Sequence, residues 1–328
     1  MVIARELVRA LGEAGHDPCL VVTPDYGFGR QARTYSETWR HDVGRIDGQP
    51  VDQVISLRYP SYAVRHSRHV CWLNHTMREY YDLWPRFSRQ LSPQGRVKEN
   101  VRRTLIHAAD RYLLARNVTK LFVQSRTIQD RLKIWPGLRS TVLHPPAPQR
   151  PYRTDGYGPE FFFVSRLTPL KRADLAIRAI ADPASGSAAL VIAGGGEERE
   201  SLERLAADLG VASRVSFAGR LTDEQILDAL ARCRAVVFSP LQEDYGFVTA
   251  EAFASRKAVI TCRDSGGPAE LVEDGISGFV TESDPPALGA ALRRLADDAV
   301  LAQRMGAAAF AAGANLTWSA VVRSLVLQ

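Results

Sequence analysis

The stretch "EFFFVSRLTPLKRADLAIRAIADPASGSAALVIAG", Glu160 to Gly194, reads as one unit of a parallel α/β sheet. "FFFVS" and "ALVIAG" are apolar at consecutive positions, whereas a strand with one wet face would alternate. The run between them, from about Arg172, is amphipathic with helical spacing. Two such strands joined by a helix run parallel, and the crossover covers one face of the sheet.

The same rhythm continues downstream: a helix from about Glu197, "RVSFAG", a helix from about Asp223, "AVVFS", a helix after Gly246, and "AVIT". Upstream the strand candidates are "PCLVVT", "QVISL", "HVCWL", "KLFVQS" and "TVLH", separated by helical segments. Between the halves lies "HPPAPQRPYRTDGYGP", residues 144–159, whose five prolines and two glycines exclude a helix or a central strand. Two domains are therefore expected to meet near residue 150, in keeping with a length of 328 residues. The first half opens on a helix, "MVIARELVRALGEAGHD", where a Rossmann-like domain opens on a strand and a glycine-bearing turn. That first strand is expected to lie upstream of Met1.

With 45% hydrophobic and 24% charged residues, the chain can bury real cores. No apolar run approaches the roughly 18 residues of a spanning helix, and no signal pattern opens the chain, so a cytoplasmic protein is expected. Cys19, Cys71, Cys233 and Cys262 lack ligand or redox spacing, which predicts no metal site. Charge is uneven. Residues 1–150 hold 24 Lys plus Arg against 13 Asp plus Glu, a balance of +11, and the remainder holds 18 against 23, a balance of −5. Eight basic residues and two acidic ones fall between Arg86 and Arg116, on a predicted helix, "GRVKENVRRTLIHAADRYLLAR". Such a face suits an anionic acceptor or the inner face of a membrane, or is a solvated helix. No nucleic-acid-binding motif accompanies it.

Two clusters carry chemistry. In "EDYGFVTAE", Glu243 lies on a strand-to-helix loop and Glu251 in the helix body. The amides of Phe247 and Val248, after Gly246, begin the helix and offer an anion site. On one straight helix the two acids would diverge by about 80°, and the kink at Gly246 lets them face together. "SRLTPLKR" brings Arg166, Lys171 and Arg172 to the carboxyl end of a parallel strand, where open sheets bind ligands and where guanidinium and ammonium groups suit phosphate. "AGGGEERE" has Arg199 where a dinucleotide fingerprint needs glycine, and reads as a tight turn. No phosphate loop, nucleophile elbow, zinc motif or Asp-x-Asp pair occurs.

At these residues the chain resembles the retaining family 4 glycosyltransferases of GT-B fold. The resemblance is carried by the Glu243-x7-Glu251 pair, Arg166 and Lys171, "DSGGPAELVEDGISGFV", "ALGEAGHDPCLVV", "CWLNHTMREYYDLW" and the tryptophan-bearing final helix. It departs from the family at Arg256 and Ala258, where many relatives have Gly and Pro. It implies two Rossmann-like domains facing across a cleft: 1–148 for the acceptor, 149–312 for the nucleotide sugar, and 313–328 as a helix crossing back to the first. It also implies a metal-independent transfer of a hexose from a GDP- or UDP-linked donor to a saccharide, lipid-linked or small-molecule acceptor, with no cofactor. Arg166 and Lys171, with the Phe247 and Val248 amides at Gly246, would hold the diphosphate. Glu243 would hold the sugar, Glu251 the ribose, and Gly219 and Arg220 the base. His75 would stand near the anomeric carbon. The competing readings are an epimerase or hydrolase of the same fold, and a shortened chain that only binds nucleotide.

Overall fold

The computed structural model describes residues 2–327 apart from Pro136. It divides into two units, Met1–Pro145 with Trp318–Gln328, and Pro146–Thr317.

The first unit contains α1 (Val2–Glu13), α2 (Gln31–Arg40), a short antiparallel pair β1 (Arg45–Ile46) and β2 (Gln49–Pro50), then β3 (Val54–Arg58), β4 (His69–His75), α3 (Trp84–Arg89), α4 (Pro93–Arg116), β5 (Lys120–Val123), α5 (Arg126–Ile134) and β6 (Thr141–Val142). Strands β3, β4, β5 and β6 lie side by side in that order, all parallel. Residues Val70 to Leu73 of β4 are fully buried, as a strand covered on both faces requires.

One expected strand is not there. "PCLVVT", residues 18–23, is irregular and pairs with none of the strands, and Leu20, Val21 and Val22 are exposed. β-branched residues favour a strand only where an edge accepts their backbone and a surface accepts their side chains, and this segment has neither.

The second unit runs β7 (Glu160–Val164), α6 (Ala173–Ala181), β8 (Ala189–Ala193), α7 (Arg199–Asp208), β9 (Val215–Gly219), α8 (Asp223–Arg232), β10 (Val236–Val237), α9 (Phe247–Ala254), β11 (Val259–Cys262), α10 (Gly267–Leu271), β12 (Gly278–Thr281), α11 (Pro285–Asp297) and α12 (Ala299–Ala314). Its six-stranded parallel sheet has the order β12-β11-β10-β7-β8-β9. The three phenylalanines of β7 show why the strand is apolar throughout. Phe161 and Phe163 enter a core with α6, α7 and α11, while Phe162 enters a second core with α8, α9 and α12 on the other face. From β7 the chain winds one way through β8 and β9, then returns to β10 on the other side of β7 and winds the opposite way. The carboxyl ends of β7 and β10 therefore form the topological switch point, where sheets of this kind bind ligands.

The last helix, α13 (Trp318–Leu325), packs within the first unit. Trp318, Val321, Val322 and Leu325 are its buried face. The Trp318 ring stands edge-on to Trp72 of β4 at 6.2 Å. Gln53 donates to the Leu325 carbonyl at 2.7 Å and accepts from the Leu327 amide at 2.8 Å. Contrary to the sequence expectation, Ala299–Leu325 is long and apolar enough to cross a membrane by length and composition. Its hydropathy comes from many alanines rather than one apolar run. In the fold it is two helices, and Ala302, Met305 and Ala309 of α12 fill the cores of the second unit.

Candidate functional site

Two loops leave the switch point, 165–172 after β7 and 238–246 after β10. The first is held by glycines. Gly194, at φ 131°, and Gly196 lie so close to it that a Cβ would meet the Ser165 carbonyl at 1.8 Å and the Leu167 carbonyl at 2.2 Å. The Leu167 amide donates to the Gly195 carbonyl at 3.0 Å, and the Glu198 amide to the Leu167 carbonyl at 3.1 Å. "AGGGEERE" is thus a tight turn that allows two backbones to touch.

The second loop is stitched to the segment after β11. The amides of Gln242 and Glu243 donate to the carbonyls of Asp264 and Ser265, both at 2.8 Å, and the Gly267 amide donates back to the Glu243 carbonyl at 2.9 Å. Arg172, in the left-handed region at φ 50°, ties both loops together. Its guanidinium donates to the carbonyls of Ser239 at 2.7 Å and Pro240 at 2.9 Å, and makes a two-point bond to the Asp264 carboxylate. Burial pushes the Asp264 carboxyl up, but Arg172 and the Ser283 hydroxyl outweigh it and hold it below its usual value. Arg172, one of the basic cluster, is therefore a loop clamp.

Lys171 is left for the ligand side. Its Nζ lies 2.6 Å from Oε2 of Glu243, and both side chains are largely buried. Gly246 follows at φ 80°, where a Cβ would stand 2.7 Å from the Phe238 ring and 2.8 Å from Pro268. It caps α9 without a side chain, and among the described residues the Phe247 and Val248 amides meet no backbone acceptor. The free N–H groups of a helix start thus follow, on the same loop, a carboxylate paired with a lysine ammonium.

Glu251, one turn into α9, is bound elsewhere. Its Oε1 accepts from Arg150 Nη1 at 3.1 Å and from the Tyr152 hydroxyl at 3.2 Å, and Arg150 also reaches Asp223 at 3.4 Å. Burial raises the Glu251 pKa above its usual value, with Arg150 and Tyr152 opposing. The structure brings Lys171 and Glu243 together at the switch point and gives Glu251 partners from the linker. The two glutamates share no partner among the described residues. Arg166 is exposed on the first loop, and its side chain makes no hydrogen bond among the described residues. Gly219, at φ 69°, ends β9, and its carbonyl accepts from the Gly194 amide at 2.7 Å. Arg220 beside it is exposed. His75 is the exposed last residue of β4 in the first unit. Sequence reasoning missed Arg150 and Tyr152, which it read only as linker. Their partner is about a hundred residues away, and no local pattern announces it.

Residues 149–311 match the family described as glycosyl transferases group 1. Through this segment the chain belongs to the glycosyl transferases group 1 family. Among curated relatives, a D-inositol 3-phosphate glycosyltransferase of Acidothermus cellulolyticus is 31% identical over 238 residues, 64% of this chain and 52% of that protein. One from Streptomyces griseus is 34% identical over 168 residues, 48% of this chain and 35% of that protein. The matches thus span about half, or less, of the curated relatives' length. Among solved structures, WaaG, a glycosyltransferase involved in lipopolysaccharide biosynthesis, superposes with a TM-score of 0.68 at 18% identity, over 98% of this chain and 93% of WaaG. HepE of Anabaena, in complex with UDP and glucose, gives 0.65 at 17% identity, over 96% and 88%. The fold is GT-B, with two Rossmann-like units.

Proposed function

We propose that this chain is a retaining glycosyltransferase that moves a hexose from a GDP- or UDP-linked sugar to a saccharide, lipid-linked or small-molecule acceptor without a metal ion. The observation that carries the reading is the Lys171–Glu243 pair at the switch point, beside the start of α9. One donor of the Lys171 ammonium engages Glu243, and the others remain for diphosphate oxygens. The Phe247 and Val248 amides and the positive helix end add to that field, and Arg166 adds a guanidinium that can fold onto phosphate. The Glu243 carboxylate, oriented by Lys171, is an acceptor for sugar hydroxyls. Glu251 has the same chemistry for a ribose, and Gly219 with Arg220 is assigned to the base. For His75 the reading rests on the family resemblance alone.

In the reaction the bond from the anomeric carbon to the diphosphate oxygen breaks, and a bond to the acceptor oxygen forms on the same face. The acceptor proton passes to the departing phosphate. Charge builds on the diphosphate, so preorganised positive groups there lower the barrier, and Glu243 acts by positioning. The relatives' naming as glycosyltransferases and the UDP and glucose of HepE support a nucleotide-sugar donor.

The test is incubation with UDP- and GDP-hexoses in EDTA, reading nucleoside diphosphate release and the anomeric configuration of the product. Retained configuration in EDTA is expected. An inverted product, or release only after a divalent ion is restored, contradicts the proposal. An epimerised donor in the absence of acceptor would assign the fold to the epimerase reading instead.

A further inference from the structure

Glu251 is held by one oxygen. Its Oε1 accepts from both Arg150 and Tyr152, while Oε2 accepts from no group among the described residues and is not sealed from solvent. The side chain keeps 12% of its exposure. Its two donors come from one tight turn. The Tyr152 amide donates to the Arg150 carbonyl at 2.8 Å across Pro151, and the centre of such a three-residue turn suits the fixed φ of proline. The Tyr152 ring packs against the core shared by α8, α9 and α12, so its hydroxyl is carried to a fixed place.

A clamp on the linker would close on both oxygens. Arg172 does so at Asp264, with Nη1 on Oδ2 at 2.8 Å and Nη2 on Oδ1 at 2.6 Å. Arg150 instead divides its fork, placing Nη1 on Glu251 Oε1 and Nη2 3.4 Å from Asp223 Oδ1. The second oxygen of Glu251 stays open. We propose that Arg150 and Tyr152 are positioning residues for nucleotide recognition: they saturate Oε1, fix the plane of the carboxylate and leave Oε2 to accept a ribose hydroxyl. The inference rests on the reading of Glu251 as the ribose contact. Burial raises the Glu251 pKa, Arg150 and Tyr152 oppose it, and Asp223 adds to it. The two linker residues thus also favour the ionised carboxylate, the stronger acceptor for a hydroxyl.

The test is calorimetric titration of UDP and GDP, and of their 2′-deoxy and 3′-deoxy counterparts, into the full chain. The ribonucleotide that binds should exceed at least one deoxy counterpart by roughly tenfold, one charge-assisted contact's worth, and Glu251→Gln should remove most of that preference. Arg150→Met with Tyr152→Phe should cut the preference at least about threefold while binding of the deoxy counterpart changes little. Arg150→Lys should keep part of it. On acidification, Arg150→Met should lose the preference at a higher pH than the wild type, because the cation that opposes protonation of Glu251 is gone. Tyr152→Phe alone keeps the packed ring and removes only the hydroxyl, so it serves where the double variant fails to fold. The inference is overturned if the linker variants keep the wild-type preference, or if they weaken ribo- and deoxyribonucleotide alike, as a latch with no part in recognition would. Provided Glu251→Gln abolishes the preference, those outcomes leave the ribose reading standing. If Glu251→Gln retains it, if the wild type shows none, or if neither nucleotide binds, the ribose reading itself fails and the inference with it.

Discussion

Lys171 Nζ stands 2.6 Å from Glu243 Oε2 across 72 residues of sequence. The pair forms because β7 and β10 are neighbours in the sheet although the chain visits β8 and β9 between them, so the loops at their carboxyl ends converge. Lys171→Ala should lower kcat/KM by about 100- to 1,000-fold, the range seen when one donor to a developing charge is removed. Glu243→Gln should fall mainly in kcat. In the double variant the losses should add to less than their sum, and strict additivity in steady-state kinetics would show that the two act independently.

Gly246 is required by its conformation and by its neighbours. Gly246→Ala would force a Cβ into the Phe238 ring and Pro268 at φ 80°. A loss of about 1–3 kcal/mol in urea unfolding is expected, with donor affinity reduced because the first amides of α9 move. Wild-type stability and affinity would mean that the loop relaxes without consequence.

Glu251 gives a pH dependence of known sign. Its folded pKa is raised by burial, so the folded chain binds more protons than the unfolded chain over the interval above the ordinary carboxylate pKa of about 4.3. Stability therefore falls as pH rises through that interval. Glu251→Gln should flatten this contribution. Arg150→Met, which removes the opposing cation, should extend the fall to higher pH. Urea unfolding at a series of pH values reads both, and a slope of opposite sign in the wild type minus Glu251→Gln difference would contradict the assignment.

Much of this was legible in the sequence. The consecutive apolar residues of β7 and β8 announced a parallel sheet because both faces are covered. The Glu243-x7-Glu251 spacing, with "SRLTPLKR", pointed to the loops that the switch point brings together. What stayed hidden depends on distant partners. Residues 18–23 have strand propensity but no edge to pair with, and β12 was seen only as part of a motif. Arg150 and Tyr152 looked like linker because Glu251 is remote. The Arg86–Arg116 segment showed its charge but not that Glu99 and Asp110 turn inward, since the tyrosines that donate to them come from other elements.

Those tyrosines make a stability prediction. Burial raises the Asp110 pKa, with hydrogen bonds from Tyr35, Tyr62 and Tyr81 opposing. Each Tyr→Phe change should cost about 1.5–3 kcal/mol, as for a hydrogen bond to a charged group, and pairs should be non-additive because they share one carboxylate. Chemical denaturation of the single and double variants measures this, and changes below a few tenths of a kcal/mol would show that the carboxylate needs none of them.

The most direct measurement is calorimetric titration of UDP and GDP into the chain in EDTA, repeated with Lys171→Ala. One of the two nucleotides should bind without a divalent ion, and Lys171→Ala should weaken it at least about tenfold, one charge-assisted contact's worth. Binding that appears only when magnesium is restored, or that is indifferent to Lys171, would contradict the account.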